Sequence, residues 1–304
     1  TGRAWNTSLI AEADLLRNYG DNFNSTLNGH TAWPIVADPE AHEINRLQLT
    51  NTSIPGTTLV LGRQRIVLDD QRFVANVGWR QNEQTFDAVR VTNRSITNLT
   101  MDVAYLGRIN RVFGRESPVG HHEGDNYVAN VAYQLPLGKL TGFAYVLDFE
   151  EAPTDSSQTL GVRFAGERML RKVKLAYSTS WASQEDRADN PLDYSEDFYA
   201  AEVTGTVRQW SLGVGVEVLQ GDGVKGFSTP LATLHKFQGW ADKFLTTPPS
   251  GIDDRYVTLG YSTRGVGMLD TLTATAMYHL FEAERGALDY GSELNLQVQA
   301  KWRR

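Results

Sequence analysis

The feature that most constrains this chain is a period-two alternation of apolar and polar side chains, repeated almost from end to end. In Leu99-Thr100-Met101-Asp102-Val103-Ala104-Tyr105, apolar residues fall on one face and polar or small ones on the other. Tyr127–Gln134, Val173–Trp181, Trp210–Val218 and Leu294–Trp302 repeat the pattern. Successive side chains of a strand point to opposite faces, so such segments are half-apolar strands. The alternation predicts about 14 strands, at 7–15, 43–51, 57–64, 85–93, 98–108, 126–135, 139–149, 158–167, 171–182, 197–207, 209–219, 254–264, 270–281 and 292–302. Most are near the 9–11 residues that cross a bilayer at a tilt. Helical periodicity is nearly absent.

The connections separate a soluble β protein from a membrane barrel. Short turns near 51–56, 93–97, 136–138, 167–170, 208 and 265–269 alternate with longer connections. These are 16–42, 65–84, 109–125, 150–157, 183–196, 220–253 and 282–291. Outer-membrane barrels have this asymmetry, with short periplasmic turns and longer outside loops. A sandwich whose two ends meet the same solvent has no reason for it. Aromatic residues near strand ends, among them Tyr105, Tyr133, Tyr145, Phe149, Trp181, Tyr199, Trp210 and Trp302, fit interfacial girdles. The 41% hydrophobic content and the lack of an 18-residue apolar run argue against a helical membrane protein. A net charge of −7 without a basic tract argues against nucleic acid as a partner. Cysteine is absent, which excludes disulfides and thiolate metal sites. The expected fold is therefore all-β: a single antiparallel up-and-down transmembrane β-barrel domain over 1–304, in the bacterial outer membrane. Its surroundings would be lipid and lipopolysaccharide.

The polar face supplies the candidate chemistry. Arg46, Arg90, Arg108, Arg163 and Lys174 fall there, with fewer acidic residues such as Asp102 and Glu217. Rings of charge set the selectivity of a pore, so this bias points to anions. The connection 65–84 and its flank add Arg63, Arg65, Arg72 and Arg80. These four either fork onto solute carboxylates or order the loop by pairing with Asp69 and Asp70. In the longest connection, Leu231, Leu234, Phe237, Ala241, Phe244 and Leu245 recur at helical spacing after Thr229-Pro230. That spacing predicts a helix within Phe227–Leu245, folded into the barrel mouth as a constriction, with His235, Lys236, Trp240 and Lys243 along it. No nucleophile elbow occurs, and His121-His122-Glu123 reads as solvent-facing loop, so neither catalysis nor a metal or other cofactor is expected.

Three longer stretches carry a family resemblance: Gly62–Ile66, Asn76–Ala88, and Thr229–His235 with Gly239–Asp242. They resemble the alginate-export family of outer-membrane porins. The resemblance implies an 18-stranded monomeric barrel passing anionic polysaccharide through an Arg/Lys-lined constriction. The residues themselves lead to a passive channel for anionic sugars or other small acids. With about 14 strands in view, the chain is expected to be a piece of a longer member, short of strands at both ends. The lining would be Arg46, Arg63, Arg65, Arg80, Arg90, Arg108, Arg163 and Lys174.

Overall fold

The computed structural model describes residues 2–20, 22–33 and 35–302. Its regular elements are β1 (Gly2–Ala4), β2 (Thr7–Leu16), β3 (Ala41–Asn51), β4 (Thr57–Gln64), β5 (Thr85–Asn93), β6 (Leu99–Asn110), β7 (His121–Leu135) and β8 (Gly138–Leu147). They continue with β9 (Ser157–Leu170), β10 (Val173–Asp186), β11 (Ser195–Val207), β12 (Trp210–Leu219), β13 (Ile252–Arg264), β14 (Leu269–Glu282) and β15 (Asp289–Trp302). Each strand pairs antiparallel with the next in chain order, giving one 15-stranded meander. Fourteen of them, β2 to β15, are the expected strands, and β1 adds three residues. No pairing joins β15 to β1 among the described residues.

The sheet is curled around its own loops. Residues 65–84, between β4 and β5, touch Glu12 on β2, Asn130 on β7, Thr141 on β8, Arg163 on β9 and Glu217 on β12. One short segment reaches strands so far apart in the order only if the sheet wraps round it. The concave side is thus an interior and the convex side an outer wall.

The outer wall is apolar. Leu47, Leu49, Leu59, Leu61, Val89, Val91, Val103, Leu160, Val162, Val214, Val257 and Leu296 are all exposed there, between 39% and 72%. Aromatic pairs bracket this band: Tyr105–Tyr127 and Trp181–Tyr199 toward the long loops, Trp210–Tyr261 toward the short turns. An apolar surface this extensive is stable against hydrocarbon, not water. Tyr145 and Phe149, expected in these girdles, instead face inward and are 3% and 1% exposed.

Inside, an apolar core lies where a wet channel would be expected. Phe73 of the 65–84 loop has ring contacts with Phe143 and Tyr145 on β8, Phe198 on β11 and Phe227 of the 220–251 loop, at centroid separations of 4.9–6.1 Å. The two loops join through a parallel bridge between Val74 and Leu231, with Ala75 N donating to Leu231 O at 2.9 Å. Burying each such side chain contributes roughly 1.5–3 kcal/mol, which offsets the cost of ordering the loops.

The segment Phe227–Leu245 is not the expected helix. One 3-10 turn, Leu234–Lys236, is its only helical element. Its first apolar residues are buried nonetheless, Phe227 at 0%, Leu231 at 1% and Ala232 at 3%, whereas Leu234, Phe237 and Phe244 are half-buried and Ala241 and Leu245 exposed. Apart from the short-range bonds Ala232 N to Thr229 O, Lys236 N to Thr233 O and Phe237 N to Leu234 O, the backbone bonds outward. Gln184 on β10 accepts from Ser228 N and donates to Ser228 O, Thr233 N donates to Gln71 O, and Glu293 on β15 accepts from Trp240 N and Ala241 N. Positive φ at Gln238, Gly239 and Asp242 keeps the chain turning.

The loop asymmetry gives an expected orientation, with the longer connections outside. A protease tag inserted after Ala188 or Gly223, in the long-loop end, is expected to be cut on intact cells, whereas one after Leu137 is protected. The opposite cleavage pattern would invert the topology.

Candidate functional site

The interior presents its charges in paired groups. On the wall of β2 and β3, Glu12 accepts from Arg46 Nε at 3.2 Å and from Arg65 Nη2 at 2.8 Å, and Arg46 Nη2 also pairs with it. Arg65 also pairs with Glu83, which Asn45 and Asn76 hold at 2.5 and 2.6 Å. Burial alone would push the Glu83 carboxyl up, but the hydrogen bonds from Arg65, Asn45 and Asn76 outweigh it and hold the group below its ordinary value. Farther round, Arg80 lies between Asp38 at 3.6 Å and Asp242 at 3.3 Å, so it bridges the 17–40 and 220–251 loops. Arg90 forks onto Asp102 at 2.8 and 2.6 Å, Arg163 reaches Asp70 at 3.0 Å, and Lys174 reaches Glu167 at 2.7 Å.

Every interior arginine and lysine among these has a carboxylate beside it, so the positive bias expected from sequence is locally offset. The guanidinium groups still have capacity. Arg46 and Arg90 each bind their carboxylate through Nε and Nη2, leaving the Nη1 amino group for another acceptor.

Two of the expected lining residues are not interior. Arg63 is in register with Leu47 and Asp87, on the same side of the sheet as exposed Leu59 and Leu61, and it pairs with Asp87 at 2.7 Å. Arg108 is turned out by a bulge: the β6–β7 register jumps from Leu106↔Asn126 to Arg108↔Glu123. The extra residue changes the face that every later side chain takes. Gly124 makes the jump possible. Its φ is +139°, and a Cβ there would sit 1.9 Å from Asp148 O. Arg108 then pairs with Glu123, giving a charged row on the outer wall above the Tyr105–Tyr127 girdle.

The expected constriction residues divide. His235 stacks on Trp79, with ring centroids 4.1 Å apart and planes at 14°, and its Nδ1 lies 2.8 Å from Asp242. Trp79 is 57% exposed, leaving its other face to solvent. Lys236 Nζ donates to Asp70 O at 2.6 Å. Trp240 is fixed through its backbone to Glu293, and Lys243 is exposed with no ion pair among the described residues.

Sequence reasoning named Asp69, Arg72 and Glu217 but did not find their partners, which lie far away in the chain. Asp69 accepts from Asn130 and Lys139 at 2.8 and 2.7 Å. Arg72, with a side chain 3% exposed, pairs with Glu217 at 2.9 Å and lies over the ring of Phe237 at 4.7 Å. Glu217 also accepts from Gln238. Alternation placed Glu217 inside, but nothing local in the sequence announces that a loop arginine reaches it.

No protein-family model and no curated protein sequence matches the chain. Solved structures do. OpdK of Pseudomonas aeruginosa, crystallised with vanillate, superposes at a TM-score of 0.68 with 14% identity, over 97% of this chain and 76% of its own. OccK9 (OpdG) of Pseudomonas aeruginosa gives 0.66 and 18%, over 97% and 75%. OccK2 (OpdF) of the same organism, in complex with glucuronate, gives 0.53 and 13%, over 84% and 75%. OpdK is an outer membrane protein, and the fold of this chain is the one these structures share. The likeness is to Occ and Opd proteins, not to the alginate-export family.

Breaking one partner of the buried Arg72–Glu217 pair strands the other. Arg72→Met is expected to destabilise the docked loops by about 3–5 kcal/mol, read as faster proteolysis of 65–84 in the assembled barrel. The double variant Arg72→Met/Glu217→Met recovers most of that loss; equal loss in both would remove the pair as the anchor. Acid acts on Glu83 in the same assay. Because its folded value is depressed, its contribution is complete above the ordinary carboxylate value of 4.5 and disappears as pH falls through the lower folded value.

Proposed function

We propose that this chain forms the wall and inserted loops of an outer-membrane porin of Gram-negative bacteria, passing small anionic solutes as a monomer. The apolar outer wall between aromatic girdles supports a place in lipid. The outer charged row of Arg63, Asp87, Arg108 and Glu123 suits the polar headgroups of lipopolysaccharide. Transport, rather than catalysis, is the role.

The observation that carries the anion preference is the set of interior arginines 46, 65, 80, 90 and 163, spaced round the docked loops. Each is oriented by a carboxylate, and at least Arg46 and Arg90 keep donors to spare. A carboxylate solute can pass between such donors without stripping any arginine of its partner, which favours binding weak enough to release. The vanillate and glucuronate named with the neighbouring structures are small acids of the kind this arrangement suits. An alginate-like polymer is the less favoured cargo, since two loops joined across the interior obstruct an extended chain.

The apolar core around Phe73 supports one other reading, a structural barrel without transport. Planar-bilayer recording of the protein separates the two. Conductance with anion-favouring reversal potentials is expected. Replacing Arg65, Arg80 and Arg90 together with Gln lowers the anion-to-cation permeability ratio by about tenfold, equivalent to ~1.4 kcal/mol. Glu12→Gln moves it the other way. A non-conducting wild type would leave the structural reading, and an unmoved ratio would take these arginines off the path.

A further inference from the structure

The two ends of the outer wall carry charge of different kinds. At the long-loop end the outward arginines Arg63, Arg108 and Arg255 are each paired with a carboxylate. At the short-turn end the cations stand alone. The turns 5–6, 52–56, 94–98, 136–137, 171–172, 208–209 and 265–268 hold four basic residues, Arg94, Arg171, Lys172 and Arg208, and no acidic one, although the net charge of the chain is −7. Arg168 joins them from the outward face of β9, in line with exposed Leu160, Val162 and Leu170. All five are exposed, and none makes an ion pair or a side-chain hydrogen bond among the described residues. The backbone bears on the choice of residue as well. Arg171 and Arg208 have φ of +56° and +55°, in the left-handed region that glycine or asparagine fills most easily at a hairpin turn. Both turns place arginine there instead, so a conformational penalty is met twice by a residue whose charge has no partner in the protein.

Apolar side chains share this rim. Ile54, Ile96 and Met268 stand exposed at turn tips, and Leu170, Val207 and Trp210 are exposed at the strand ends that flank Arg171 and Arg208. An anionic lipid surface satisfies both kinds of group at once, the phosphates meeting the cations and the acyl boundary covering the apolar tips. The residues are spread over turns from β3–β4 to β13–β14, so a leaflet that surrounds the wall meets all of them, whereas a globular partner would reach only a sector. We infer that the short-turn rim is a docking surface for anionic phospholipid, in the leaflet away from the long loops. Arg94, Arg168, Arg171, Lys172 and Arg208 lie at the level of its phosphates. The inference rests on the placement and orientation of the wall in lipid proposed above, not on conduction.

Spin-labelled lipids in phosphatidylcholine vesicles carrying the protein test it, through the fraction of label whose motion the protein restricts. At low salt, spin-labelled phosphatidylglycerol is expected to associate about fivefold more strongly than spin-labelled phosphatidylcholine, the effect of one basic residue at an anionic surface. High salt weakens the preference. Replacing all five cations with Gln abolishes it, whereas replacing the four arginines with Lys keeps it. Arg171→Gly/Arg208→Gly lowers it although glycine suits both turns, which separates loss of charge from misfolding. Arg264→Gln, at the same end but on the inner face by alternation, leaves it unchanged. Equal association of the two lipids overturns the inference and leaves the wall in lipid, while no restricted lipid at all ends the membrane reading with it. A preference that survives the Gln replacements belongs elsewhere on the wall and overturns the rim as its source. Cleavage of a tag after Leu137 on intact cells would put the rim in the other leaflet and end the assignment.

Discussion

The structure depends on the loop between β4 and β5 being held inside the sheet. Asp69, Asp70, Arg72 and Arg65 tie that loop to β7, β9, β12 and β2, and each tie is a charged hydrogen bond to a side chain of the wall. Without these ties the inward aromatic residues Phe143, Tyr145 and Phe198 would face an open lumen. With them, Phe73 is brought into their midst and the 220–251 loop closes over it through Leu231 and Phe227. Charge specifies where the loop goes, and apolar burial supplies the energy that keeps it there. The division is sensible because a buried ion pair contributes more to geometry than to net stability, while ring burial has no directional preference.

On the channel reading proposed above, charge compensation inside the sheet has a further role. An uncompensated arginine ring would hold a passing anion too tightly to release it, and would repel its own neighbours. Carboxylates such as Glu12, Asp102 and Asp70 fix each guanidinium plane and reduce its field. What remains is a directional set of N–H donors rather than a bare positive potential.

Much of the wall was legible in the sequence because period two is a local property. Alternation from Leu99 to Tyr105 or from Trp210 to Val218 needs no knowledge of the rest of the chain, and all fourteen long strands followed from it. Faces failed where a single residue intervened. Strict alternation from Tyr105 sends Arg108 inward, but the bulge at Gly107, opposite Gly124 and Asp125, turns it outward. Arg63 was misplaced for a simpler reason: it continues the outward series of Leu59 and Leu61, and its neighbourhood of other arginines obscured that. The constriction helix was inferred from spacing and from the Thr229-Pro230 start signal, both of them local. The backbone of that segment found partners on Gln184, Gln71 and Glu293, residues distant in sequence, so helical hydrogen bonds were unnecessary. Asp69 and Arg72 were expected to order the loop by pairing within it, but their partners were illegible for the same reason, since each acts on a residue at least 60 positions away.

The outward turn of Arg108 has a consequence for how the molecule sits in its bilayer. The Arg63–Asp87 and Arg108–Glu123 pairs form a rim directly above the Tyr105–Tyr127 rings, and below the rings the wall is valine and leucine. Sliding the barrel inward by one residue pair would submerge four formal charges in hydrocarbon, and sliding it outward would lift leucines into water. The bulge thus works as a depth mark. By displacing a single residue it sets the waterline of this side of the barrel, and with it the height at which the outer loops stand clear of the surface.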